Sequence, residues 1–312
     1  MQKTTHFLMI PFTGLGLYGG FRGNHWLCNR IKVFKQFVIP SLIAQTNQDF
    51  VLWIAWRWEE RDNPHVKELK SYIKDRGLKS VFTYSGVPFW DDKYPDDIAR
   101  NRLIAAIHGS MGELTNVIGE NDYVLMTIQP SDDCYHKDFV KNIQSLFDTT
   151  DVQVLGFRKG YIMDYIKGEL AEYNPFTIPP FFTIKFPRII FTDPLKHLEY
   201  TGPYKSHEYI GDKLKFGEIG VRGFLVGIHG ANISTVFDHP FRGKILNSVE
   251  TVDVLKDFGL SNTAKLVLPF SLRSAIFRKL PYKIKRKLRY LASEKRWIFK
   301  PFFAIIYNIL RA

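Results

Sequence analysis

The chain has 312 residues, 45% of them apolar and 15% aromatic, which supports a large folded core and excludes a disordered polymer. Its net charge of +12 is lopsided: Ser271 to Ala312 holds twelve Lys and Arg against the single acid Glu294, so the preceding body is nearly neutral and makes no electrostatic case for nucleic acid. Cys28 and Cys134 have neither metal spacing nor a disulfide framework, Pro11 cuts short the N-terminal apolar run, and no run approaches the ~18 residues of a membrane span. A cytoplasmic protein in a reducing compartment is the expectation.

In chain order, HFLMIPF reads as a strand leading into a Gly-rich loop, TGLGLYGGFRGN. The loop lacks the Lys-Ser/Thr of a P-loop. Gly14, Gly16 and Gly19 fit a loose GxGxxG, but no acid follows at dinucleotide-site spacing. NRIKVFKQFVIPSLIAQT sets Ile31, Phe34, Val38 and Leu42 near one helix face, with Pro40 as a kink. DFVLWIAWRW has the continuous hydrophobicity of a strand buried on both faces. A helix over Pro64 to Asp75, the strand KSVFTYS, the helix DIARNRLIAAIHGSM, the strand YVLMTI and the helical spacing of HKDFVKNIQSLF follow. This alternation predicts an α/β fold: a mostly parallel, Rossmann-like sheet with helices on both faces.

The texture changes after Asp148. Lys159-Gly160 and Lys167-Gly168 read as turns of a meander, and YNPFTIPPFFTIKFPRIIFTDP as strands and loops rather than helix. Residues 195–214 read as partly helical, and RGFLVGIHGANIST as a strand with its exit loop. The expected organisation is residues 1–150 as one half of a domain, 151–268 as the other half, and 269–312 as a basic amphipathic helical tail.

The stretch YVLMTIQPSDDCYHKDFV places Asp132 and Asp133 just beyond a buried strand, where open α/β sheets bind ligands. An isolated Asp pair in such a place also suits a turn and a helix cap. Two phrases bear on that choice. RIKVFKQFVIPSLIAQTNQDFVLWI, and DIARNRLIAAIHGSMGE followed by NDYVLMTIQPSDDCYHKDFV, resemble in order and spacing the GT-A nucleotide-sugar-dependent glycosyltransferases, more specifically their rhamnosyltransferase family. The likeness covers residues 30–57 and 97–140 and continues weakly to His229–Asn232.

The resemblance implies a GT-A-like fold and an inverting, metal-dependent transfer of a hexose from a nucleoside-diphosphate sugar to a glycan or lipid-linked acceptor, as in polysaccharide biosynthesis. It implies that Mn²⁺ or Mg²⁺ is held at the acidic motif to neutralise the departing diphosphate. Asp132 is then the metal ligand and donor contact, and Asp133 either a carboxylate that supports the metal's ligands from behind or an acceptor-side catalytic carboxylate. The family's first Asp is Pro130 here, which weakens the metal expectation and leaves open a catalytically inactive binding protein. Arg22, Arg100, Asn101 and Arg102 match positions near the donor's nucleotide and phosphates, where a planar guanidinium suits phosphate. His229 matches a metal-binding histidine. In GPYKSHEYIGDKL, Glu208 and then Asp212 are the candidate bases for the acceptor hydroxyl. Trp56, Trp58 and Trp90 could stack on sugar or base, or pack in the core. In the tail, cationic residues alternate with Leu, Ile, Phe, Tyr and Trp, a pattern that lies on an anionic membrane surface rather than on nucleic acid. A peripheral position on the inner face of the cell membrane is the expectation.

Overall fold

A computed structural model describes residues 3–13, 24–85, 104, 107–201, 207–230, 232, 235–261 and 266. The first half builds four parallel strands. They are β1 (Thr4–Ile10), β2 (Val51–Arg57), β3 (Ser80–Ser85) and β4 (Tyr123–Ile128), in the spatial order β3-β2-β1-β4. Alternate side chains of β1 enter different cores. Leu8 and Ile10 pack with Leu52, Ile54, Phe34 and Val38, while Phe7 and Met9 pack with Trp53, Val124 and Leu114. Both faces are therefore covered, as the continuous apolar runs of β1 and β2 require.

The helices facing the first core are α1 (Asn24–Val33), α2 (Ile39–Ile43), α3 (Pro64–Asp75) and, after β4, α5 (Phe139–Thr149); α4 (Met111–Ile118) serves the second. Between α1 and α2, Phe34–Val38 winds as a π-helix, and the Ile39 amide donates to the Phe34 carbonyl. Pro40 is the cause: it has no N–H for the carbonyl four residues back, and its ring crowds that carbonyl, so the ladder steps to a wider spacing. The kink expected at Pro40 is thus a π-turn just ahead of it.

The sheet then continues with antiparallel strands. β8 (Phe182–Pro187) pairs with β4, β6 (Val154–Asp164) with β8, β7 (Glu169–Tyr173) with β6, and β10 (Arg242–Ile245) with β7. The longest strand, β9 (Phe216–Ile228), runs parallel to β6 along its length, and β5 (Cys134–Tyr135) adds to its other side. Five further elements complete the described chain: a 3₁₀ turn Trp58–Glu60, α6 (Arg188–Phe191), α7 (Pro194–Thr201), a 3₁₀ turn His207–Asp212 and α8 (Ser248–Asp257). Parallel pairing is confined to β1–β4 and the β6–β9 pair, so the sheet is more mixed than the alternation predicts.

Two local readings are corrected. Lys159 and Gly160 form no turn; they lie inside β6, where the pairing with β9 shifts register, a bulge rather than a chain reversal. The reversal is at Gly168, whose φ of 78° suits glycine, and there the Lys167-Gly168 reading holds. Within the Pro-rich stretch, Arg188–Phe191 forms one helical turn, entered from Pro187. The stretch was expected to hold no helix, but Pro is compatible with a helix start.

Candidate functional site

In the order β3-β2-β1-β4, successive connections leave β1 in opposite directions, which makes the carboxyl ends of β1 and β4 the switch point at which open α/β sheets place their ligands. β4 ends there in Gln129-Pro130-Ser131. The Gln129 amide donates to the Met9 carbonyl at 2.8 Å, and its side chain donates to the Asp133 carbonyl at 2.7 Å. The Tyr135 hydroxyl donates to the Ile128 carbonyl at 2.9 Å. These bonds fold the exit of β4 back on itself and point Asp132 inward.

Three groups from two other segments converge on one oxygen of Asp132. Arg30 of α1 forms an ion pair with Oδ2, His229 Nε2 lies 3.1 Å from it, and the Asn232 amide donates to it at 3.2 Å. Arg30 is 4% exposed and Asp132 8%. The loop after β9 is fixed as tightly. The His229 amide donates to Asn232 Oδ1 at 2.9 Å, and the Asn232 side chain donates to the Gly227 carbonyl at 2.6 Å. Arg30 also comes within 3.0 Å of His229 Nε2. Both contacts of His229 run through one nitrogen, so a neutral ring makes only one of them a hydrogen bond.

Backbone packing explains the convergence. The Tyr165 hydroxyl donates to the Asp132 carbonyl at 2.9 Å, and its ring stacks on Phe37 of the π-turn at 3.6 Å. Phe37 lies seven residues past Arg30, so one helix braces Asp132 through Tyr165 and pairs with it through Arg30. Gly227 is required by close approach: a Cβ there would sit 2.3 Å from the Asp132 carbonyl and from the Tyr165 ring.

The two carboxylates part company electrostatically. Burial opposes ionisation of Asp132, but the charge of Arg30, with His229, holds its carboxyl well below the usual range. Asp133 is pushed well above that range, first by burial and then by the negative charge of Asp132. Its Oδ1 accepts the Gly227 amide at 2.9 Å. Asp133 thus ties the exit of β4 to β9, and its carboxyl gives up a proton less readily than that of Asp132. Burial keeps His229 neutral, opposed by Asp132.

Of the residues singled out in the sequence, Asp132 and His229 come together. Glu208 and Asp212 do not join them. They are exposed on the 3₁₀ turn, where Glu208 accepts from Thr177 at 3.0 Å and a Cβ on the neighbouring Gly211 would lie 3.5 Å from Phe216. Phe216 and Gly227 lie towards opposite ends of β9, on the order of 30 Å of extended chain at ~3.3 Å per residue. Trp56 is wholly buried and stacks on Phe12 at 4.5 Å, so it is core, while Trp58 is exposed beneath Arg61. Gly14, Gly16, Gly19, Arg22, Trp90, Arg100, Asn101 and Arg102 lie outside the described residues, as does the tail from residue 267. Arg30 and Tyr165 were missed. Arg30 precedes the apolar stripe of its helix by one position, and the repeat from Arg30 through Phe34 to Phe37 was the available signal.

The donor set does not fit a divalent metal. Among the described residues no three His, Cys, Asp or Glu converge, and Pro130 supplies no carboxylate. Asp132 Oδ2 already faces three nitrogens, whereas a hard dication requires oxygen ligands with lone pairs to spare. A dication ~4 Å from the Arg30 guanidinium would meet repulsion on the order of 8 kcal/mol at an effective dielectric near 20.

No family model matches the chain, and no curated protein does. Among solved structures, the chain is similar at low identity to Staphylococcus aureus TarS 1-349, at 11% identity over 93% of this chain and 78% of that one, with a TM-score of 0.38. The UDP complex of the same protein aligns at 10% identity over 100% and 88%, and its UDP-GlcNAc complex at 10% over 96% and 75%, both with TM-scores of 0.38. A likeness of this depth decides neither ligand nor chemistry for this chain.

Proposed function

We propose that this chain is a glycosyltransferase that binds a nucleoside-diphosphate sugar at the carboxyl ends of β1 and β4. The supporting observation is the Asp132 cluster. A buried carboxylate, guanidinium and imidazole and a half-buried amide, from three separated segments, meet at the switch point of the sheet, within the acidic motif that carries the sequence resemblance. A turn or helix cap needs none of that. Asp138, not the acidic pair, precedes α5, and its side chain makes no capping bond there. The transfer is to a glycan or lipid-linked acceptor, with inversion; rhamnose is the finer choice of sugar that the sequence likeness suggests. The basic tail holds the protein at an anionic cytoplasmic membrane face, where a lipid-linked acceptor would be presented.

One observation favours a second reading, that of a binding protein without turnover: Glu208 and Asp212, the candidate bases, lie on an exposed turn and do not reach the Asp132 cluster. Thermal unfolding of the full chain with UDP, GDP, ADP and dTDP, followed by their sugar conjugates with and without acceptor extract, separates the readings. Saturation at ~100 times the dissociation constant stabilises by about 2.7 kcal/mol. Stabilisation with release of nucleoside diphosphate supports the enzyme, stabilisation alone supports the binder, and no response from any nucleotide refutes both.

A further inference from the structure

We propose that the Arg30 guanidinium is the resident cation of this site, and that it meets a diphosphate in place of a divalent metal. The inference rests on the nucleotide-binding reading above and adds the chemistry by which the charge is met. Arg30 is nearly buried, carries the side-chain positive charge drawn to Asp132, and stands beside His229, the same two residues that the sequence likeness assigns to a metal. Desolvation makes such an arrangement costly unless the geometry is tight and further hydrogen bonds complete it. Those bonds are present. Asn232 donates to Asp132 while its own carbonyl oxygen accepts the His229 amide, and the Tyr165 hydroxyl holds the Asp132 carbonyl.

Guanidinium is the suitable cation here. It keeps its charge when buried, and its planar fork matches phosphate oxygens two at a time. A ligand diphosphate takes over part of the hydrogen bonding that Asp132 supplies, and His229 and Asn232 keep Asp132 in place during the exchange. No bond is made or broken covalently. Asp132 is on this account a positioning residue, with consequences opposite to those of a metal ligand. Substitution of a metal ligand abolishes diphosphate binding, whereas Asp132→Asn keeps a polar partner for His229 and Asn232 and releases the guanidinium for phosphate.

Two measurements on the full chain test this. Titration of Mn²⁺ alone, followed by the electron paramagnetic resonance of the free ion, is expected to show no retention by the wild type at millimolar concentrations. Sub-millimolar retention that Asp132→Asn removes would overturn the proposal. Calorimetric titration with UDP, GDP, ADP and dTDP after chelation is expected to give the same affinity as with Mn²⁺. That affinity should be lost at least ~10-fold in Arg30→Gln, retained in part in Arg30→Lys, and retained or improved in Asp132→Asn. A requirement for Mn²⁺, or loss of binding in a folded Asp132→Asn, overturns it. If Arg30→Gln does not fold by circular dichroism, Asp132→Asn still gives opposite signs under the two accounts, and Arg30→Lys should still show a partial loss that a metal-held diphosphate would not. If no nucleotide binds under any condition, the nucleotide reading fails by itself, and the Mn²⁺ titration still decides whether the site is closed to metal.

Discussion

At the residue scale, the interior is held by a few polar side chains whose protonation the fold dictates. His6 is buried in β1, with its Nε2 2.8 Å from Thr127 Oγ1 and its Nδ1 3.3 Å from the Gln144 amide nitrogen. Since Gln144 can only donate there, Nδ1 accepts and Nε2–H donates to Thr127, which bonds in turn with Thr183 at 2.5 Å. Desolvation pushes the His6 pKa down to about 3, well below its value in an unfolded chain. The unfolded state therefore binds the extra proton between those values. Stability is unaffected above pH ~6.5 and falls as pH is lowered towards 3. By pH 5 the loss from this residue is on the order of 2 kcal/mol. Urea unfolding at pH 7.5 and pH 5 should show a drop for the wild type that is smaller by that amount in His6→Gln. An equal drop in both would place the acid sensitivity elsewhere.

At the element scale, the helix from Asn24 to Ile43 is the piece that joins core to site. Its π-turn follows from a single proline, and the residues on either side divide the work. Phe37 stacks on Tyr165 while Arg30 pairs with Asp132. Phe37 is wholly buried, so Phe37→Ala should lower the stability by about 3–5 kcal/mol, measured by denaturant unfolding. It should also loosen the Tyr165 hydroxyl from the Asp132 carbonyl, because the stacked Phe37 ring is what holds the Tyr165 ring in place. A loss under ~1 kcal/mol would show that the surrounding aromatics close the gap. β9 is the other joining element, because it brings Gly227 and His229 to β4 although they are far from it in sequence.

For the whole molecule, the β1–β4 unit, the antiparallel extension and the long β6–β9 pair form one continuous sheet. The charge is concentrated elsewhere, in a tail outside the described residues; among the described residues no helix is long and apolar enough to cross a membrane. Each Lys or Arg near an anionic leaflet contributes about 1 kcal/mol before screening, so half the tail's basic residues would suffice for attachment. Truncation after Pro269 is expected to abolish sedimentation with phosphatidylserine vesicles and to leave nucleotide binding unchanged. Equal sedimentation by both forms would refute membrane attachment through the tail.

The sequence by itself determined the elements whose signal is local. The apolar runs of β1, β2 and β4 need burial on both faces, and the helix over Pro64–Asp75 begins with an Asn63 cap and a proline. Asp132 was singled out differently: the local pattern alone suits a turn or a cap equally well, and only the likeness to known motifs drew attention to it. Tertiary structure alone decided the rest. The likeness to known motifs names Asp132 and His229 but says nothing of what else reaches them. The partner of Asp132 is an arginine a hundred residues away, and whether two carboxylates share a charge or divide it depends on which nitrogens surround them. Glu208 and Asp132 look equally acidic in a sequence. Only the length and direction of β9 put one on the surface and the other against a guanidinium, because burial and Coulomb energy depend on distance in space and not along the chain.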